Sequence, residues 1–233
     1  MHNLPWELVI FDNDGVVVDS EPLASVATSQ VLTALGHPMT PEACDQAFKG
    51  SSLPDTRRRV EQSSGRPLPA DFEDRYLARA SELIGSQLRP VPGIEAVLDV
   101  LDEVGLPYCL ASSSRRDLIS LALRTTGLTE RFGARWWGAE DVAECKPAPD
   151  LFLLAARSMG AQPQDCVVVE DSPTGALAAR VAGMAVLGFA ATTPPEYLAL
   201  ADHIFTDMAE LPALLLGGRA APGNISGAPG DQI

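Results

Sequence analysis

The chain has 233 residues, of which 46% are hydrophobic, and a formal net charge of −14. That length suits one large domain or a core carrying an insertion, and the apolar fraction is that of a globular protein rather than a disordered one. The acidic balance repels polyphosphate surfaces, which argues against nucleic acid and anionic membranes as partners but leaves room for a small phosphorylated ligand in a cleft.

No apolar run approaches the ~20 residues that span a bilayer. The opening residues lack the basic and apolar regions of a secretion signal, so the expected protein is soluble and cytoplasmic. Nothing in the sequence demands more than a monomer, which is the expected state. Cys44, Cys109, Cys145 and Cys166 show no zinc-type spacing, and the three histidines are scattered.

Glu7-Leu8-Val9-Ile10-Phe11 is too short for a helix and apolar on both faces, which predicts a buried parallel strand. Similar runs follow at Pro107–Ala111, Arg135–Trp137, Cys166–Val169, Ala185–Leu187 and Ile204–Thr206. Helical patterns at Gly93–Val104, Arg116–Thr126, Pro149–Met159 and Pro173–Ala182 lie between them. This alternation predicts an α/β fold with a doubly wound, Rossmann-like parallel sheet. Between Asp19 and Arg89 the pattern turns helical and more polar, predicting an inserted all-helical cap. The expected division is a core of residues 1–17 and 88–217, a cap of 18–87, and a disordered Gly/Ala/Pro-rich tail over 218–233.

The chemistry concentrates after the strands. Asp12 and Asp14, followed by Gly15, stand at the carboxyl end of the first strand, where open α/β sheets bind ligands. An Asx turn without chemistry would explain one such pair. Glu170 and Asp171 repeat the arrangement after a second apolar run, and there helix capping is the competing explanation. If the two strands are neighbours, the carboxylates converge into a hard oxygen cluster suited to Mg²⁺. Ser112 and Ser113 end another strand at a helix start, where free N–H groups attract an anion. Lys146, ahead of a Pro-started helix, is the cation expected to balance Asp12 and a bound phosphate.

The segments FDNDGVVVDSE, ASSS, KPAPD and VVVEDSPTGALAARVAGM resemble, in order and spacing, the four motifs of haloacid-dehalogenase-superfamily phosphatases. The similarity is greatest to the β-phosphoglucomutase and sugar-phosphate phosphatase subgroup. The resemblance implies that Asp12 is a nucleophile forming an aspartyl-phosphate and that Asp14 is the general acid/base. It also implies Mg²⁺ bound by Asp12, the Asp14 carbonyl and Asp171, with Glu170 in support, and phosphate held by Ser112 and Lys146. The expected function is hydrolysis of phosphate monoesters of small metabolites, such as sugar or sugar-acid phosphates.

Three alternatives stand beside it. A haloacid dehalogenase typically lacks an acid at the position of Asp14. A β-phosphoglucomutase-type mutase usually carries a histidine where this chain has Ala24, and a cap arginine shortly after the Lys-Gly pair, where Ser51-Ser52-Leu53 stands here. A non-enzymatic phospho-receiver or interaction module would lack the helical insertion. For substrate contacts, Lys49, Arg115 and Arg116 are the candidate cations, and the run Arg57-Arg58-Arg59 is expected to be a solvated helix face.

Overall fold

The structure is a computed structural model, and it describes residues 4–48 and 51–217. Six parallel strands form one sheet: β1 (Leu8–Phe11), β2 (Tyr108–Ala111), β3 (Trp136–Trp137), β4 (Cys166–Glu170), β5 (Ala185–Phe189) and β6 (His203–Phe205). Their spatial order is β3-β2-β1-β4-β5-β6. The chain therefore builds outward from β1 in one direction, then returns to β1 and builds in the other. The order reverses between β1 and β4, and the crevice at their carboxyl ends is the switch point where such sheets take ligands.

β1 is buried along its whole length because both of its faces are covered. Its side chains alternate, as the strand's two-residue period requires. Val9 and Phe11 pack with Leu98 and Leu101 of α5 (Ile94–Val104), Ile119 of α6 (Arg116–Thr125) and Leu211 of α10 (Leu211–Leu216). Leu8 and Ile10 pack on the opposite side with Phe152 of α8 (Asp150–Met159) and Ala176 of α9 (Pro173–Val181). A short helix, α7 (Thr129–Phe132), contributes Phe132 to the first face. Each fully buried Leu, Ile or Phe contributes roughly 1.5–3 kcal/mol, so these two layers fix the strand and the residue that follows it.

Between β1 and α5 the chain forms α1 (Glu21–Ala34), α2 (Pro41–Phe48), α3 (Leu53–Ser64) and α4 (Phe72–Gln87), with no strand among the described residues of that interval. Local signals start and stop them. Ser52 accepts from the Asp55 amide to cap α3, and Gly65 ends it in the left-handed conformation that a side chain would resist. Val31, Leu32, Cys44, Val60 and Phe72 form a cluster of their own, separate from the sheet. The chain enters and leaves this interval along two adjacent passes. Asp19 N–H donates to Arg89 O, and Val91 N–H donates to Val17 O, both at 3.0 Å.

The strands differ from their expected bounds at the ends only. β4 runs one residue further than its apolar run, taking Glu170 into the sheet, and β5 continues through Gly188 to Phe189. All four cysteines are free, with Cys44, Cys109 and Cys166 buried. No helix among the described residues is long and apolar enough to cross a membrane. Residues 218–233, expected to form a tail, lie outside the described residues.

Candidate active site

Register brings the two acidic segments together. Phe11 pairs with Val169, and the Asp12 amide donates to Val169 O at 3.0 Å, so Asp12 and Glu170 leave adjacent strands at the same level. Asp12, Glu170 and Asp171 each offer a carboxylate oxygen within 4.8 Å of the others'. All three are buried, Glu170 completely.

Such a cluster is costly, and its proton affinities show it. Burial, followed by the charges of Glu170 and Asp14, pushes Asp12 up to about 7 against the pull of Lys146. Burial and then the charges of Glu170, Asp12 and Glu21 push Asp171 up to about 9. Three buried carboxylates with one ammonium among them favour a further cation, and their oxygen donors have the hardness of a Mg²⁺ site. The residues present therefore fit that metal.

Lys146 supplies the ammonium. Its Nζ donates to Asp12 Oδ1 at 2.6 Å and to Glu170 Oε1 at 2.7 Å, and lies 4.7 Å from the centre of the Phe152 ring. Burial alone would lower its affinity for a proton, but the two carboxylates outweigh that and hold it charged. Glu170 Oε2 accepts from the amide and hydroxyl of Ser172, which also caps α9 through the Gly175 amide. The capping explanation for this segment is thus true and coexists with the cluster.

Asp14 faces elsewhere. Its Oδ1 accepts from Ser20 Oγ at 2.7 Å, and its Oδ2 accepts from Ser114 Oγ at 2.7 Å and Ser112 Oγ at 3.3 Å. Its side chain is not part of the oxygen cluster of Asp12, Glu170 and Asp171. The turn that presents it needs Gly15, whose φ is +80° and whose added Cβ would fall 2.2 Å from Asp171 Oδ2. A side chain there is excluded twice, by conformation and by space.

The structure thus brings Asp12, Asp14, Ser112, Ser113, Lys146, Glu170 and Asp171 to one cavity of about 670 Å³ between the sheet and helices α1–α4. Ser20 and Ser114, which hold Asp14, were not singled out from the sequence, although both lie inside the quoted motifs. Arg115 and Arg116 do not line the cavity. Arg115 pairs with Asp117, while Arg116 pairs with Asp141 and covers the Trp136 ring. The Arg116 amide donates to Glu140, so acidic neighbours already serve this helix start, and the substrate contacts expected of the two arginines find no geometric support. Arg57 is turned to the Leu68 and Pro69 carbonyls. Lys49 lies outside the described residues.

Comparison with known proteins agrees with this architecture. The family model for haloacid dehalogenase-like hydrolases matches residues 6–183. A Drosophila melanogaster protein named "Probable pseudouridine-5'-phosphatase" is 36% identical over 76% of this chain and 79% of its own. The 6-phosphogluconate phosphatase of Escherichia coli is 29% identical over 89% of this chain and 94% of its own. Among solved structures, a conserved haloacid dehalogenase-like protein of unknown function from Agrobacterium tumefaciens superimposes with a TM-score of 0.81 at 32% identity, covering 91% of this chain and 98% of that one. With the motif residues gathered at the sheet's switch point and the family model spanning most of the chain, the protein belongs to the haloacid dehalogenase-like hydrolase family.

Proposed function

We propose that the protein is a Mg²⁺-dependent phosphatase acting on phosphate monoesters of small metabolites, sugar or sugar-acid phosphates, through an aspartyl-phosphate on Asp12. The observation that carries this reading is the setting of Asp12: a buried carboxylate at the switch point, 2.6 Å from Lys146 Nζ and sharing an oxygen cluster with Glu170 and Asp171. The phosphatase names of relatives such as those of Drosophila and E. coli point the same way. Helices α1–α4 are the proposed cap, since they wall the cavity opposite the sheet.

Asp12, Asp171 and the Asp14 carbonyl would hold Mg²⁺, with Glu170 supporting them. When bound, the cation supplies positive charge that offsets both the carboxylate cluster and the phosphate. Lys146 screens the remaining repulsion between Asp12 and the incoming dianion. An Asp12 oxygen attacks phosphorus, the ester P–O bond breaks, and Asp14 gives its proton to the departing alkoxide. Water then attacks phosphorus and passes a proton to Asp14, and the bond to Asp12 breaks to release phosphate. Asp14 alternates between acid and base, and the hydroxyls of Ser20, Ser112 and Ser114 can serve both forms because each can donate or accept.

A phosphosugar mutase must hold a phosphorylated intermediate until it turns around, and it usually has a histidine at the place of Ala24. Here Ala24 lines the cavity and offers no proton-handling group, which favours hydrolysis. The reading is tested by measuring phosphate release from a panel of phosphorylated metabolites with Mg²⁺ and with chelator. Release that needs the metal supports it; no release from any ester would refute it.

A further inference from the structure

We propose that Tyr76 is a specificity-determining residue: its phenol donates to a hydroxyl on the carbon next to the phosphorylated one, so the site prefers phosphate monoesters of vicinal polyols and sugars. The inference rests on the phosphatase reading above and narrows it to one feature of the substrate and the residue that reads it. It begins with the face that α4 turns to the cavity. Tyr76, Ala80 and Ile84 stand four residues apart on that helix, which puts them on one side of it, and all three line the cavity. Leu118 and Ala122 of α6 continue the apolar lining. The phenol is therefore the polar group in an apolar stretch of wall.

The ring is held from behind by the cluster of Ala27, Ala80 and Leu83, so the hydroxyl has a fixed base. Neighbouring hydroxyls in the cavity are already committed. Ser20 Oγ donates to Asp14, Ser25 Oγ to Asp45 and Thr28 Oγ1 to Ala24 O. Tyr76 Oη makes no hydrogen bond among the described residues, and it lines the cavity with its donor unused. Asp14 marks where along this wall the chemistry takes place, because it is the carboxyl proposed to protonate the departing oxygen. Its charge reaches the phenol: burial first, then Asp14 and Glu21, push Tyr76 up to about 12, so the hydroxyl keeps its proton and serves as a donor. A donor within the field of Asp14 stands beside the ester oxygen, at the level of the first carbons of the alcohol portion. A substrate hydroxyl on the second carbon supplies the acceptor that the wall lacks. An ester without one brings methylene groups against the phenol, displaces the water there and leaves the donor unmet.

The test compares kcat/KM for racemic glycerol 3-phosphate and 3-hydroxypropyl phosphate, which differ only by the hydroxyl on the second carbon, with p-nitrophenyl phosphate as a generic ester. The wild-type protein is expected to prefer glycerol 3-phosphate by about tenfold, the worth of one hydrogen bond made against one left unmet. Tyr76→Phe keeps the ring in its packing and removes the donor, and it should bring the two esters within about twofold of each other. Equal or reversed preference in the wild-type protein, while p-nitrophenyl phosphate is still hydrolysed, would overturn this inference and leave the phosphatase reading standing; that comparison needs no variant to fold. A preference that survives in Tyr76→Phe, including one in which both esters slow equally, would overturn the assignment to Tyr76. No phosphate release from any of the three esters would overturn both readings.

Discussion

Ser114 Oγ donates a 2.7 Å hydrogen bond to Asp14 Oδ2, joining the loop after β2 to the turn after β1 across 100 positions of sequence. With Ser20 on the other oxygen, it fixes the carboxylate proposed to move the proton. Ser114→Ala should lower kcat by roughly tenfold with little change in KM, since one of three hydroxyl contacts is lost and the phosphate site is untouched. The pH profile of kcat should shift as well, which a purely structural role would not produce. Steady-state kinetics over a range of pH check both points.

Lys146 is the cation on which the buried cluster depends. Lys146→Met would leave Asp12 and Glu170 facing each other without their shared partner, at a cost of about 3–5 kcal/mol. The expected variant is markedly less stable to urea and inactive. Mg²⁺ should restore part of its stability without restoring turnover. Chemical denaturation with and without the metal, beside an activity assay, measures this.

Gly175 tests the packing beneath the site. A Cβ there would fall 1.7 Å from Glu170 Oε1, so Gly175→Ala must push aside the carboxylate that Lys146 holds at 2.7 Å. Activity should fall by about a hundredfold or more, and stability by an amount on the order of 3 kcal/mol. A neutral outcome would mean that Glu170 has room to move.

Much of this site was legible because its parts are local. An apolar run covered on both faces, such as Leu8–Phe11, announces a buried parallel strand, and the acidic pairs sit directly behind two such runs. What was not legible depends on distant packing. Arg115 and Arg116 look like free cations at a helix start, but Asp141, arriving from beyond β3, takes up Arg116. Glu140 from the same loop caps the Arg116 amide. Tyr76 carries no motif and enters the cavity only because α4 packs against α1. Glu170 looked like the residue after a strand, whereas the sheet extends one pair further, to Glu170 opposite Gly188.

Metal and proton should compete for the cluster. Asp12, at about 7, and Asp171, at about 9, are both raised above the unfolded value of 3.8. The metal-free folded form therefore binds protons more tightly than the unfolded chain. The stability this confers is complete below the unfolded pKa and is lost as pH rises through about 7 and about 9. Tm of the metal-free protein should carry a downward contribution from these two groups between about pH 4 and about pH 9, and the gain in Tm on adding Mg²⁺ should grow over the same window. Thermal melts with Mg²⁺ or chelator across that range check the sign. A metal-induced gain that shrinks as pH rises would contradict it.

The nucleophile itself is reached most directly by acid-quenching the enzyme during turnover of a radiolabelled phosphate ester and mapping the labelled peptide. Label is expected on the peptide that contains Asp12, stable in acid and released by hydroxylamine, and none in Asp12→Asn, which should fold normally and lose turnover. Label on a different residue, or turnover by Asp12→Asn at the wild-type rate, would contradict it.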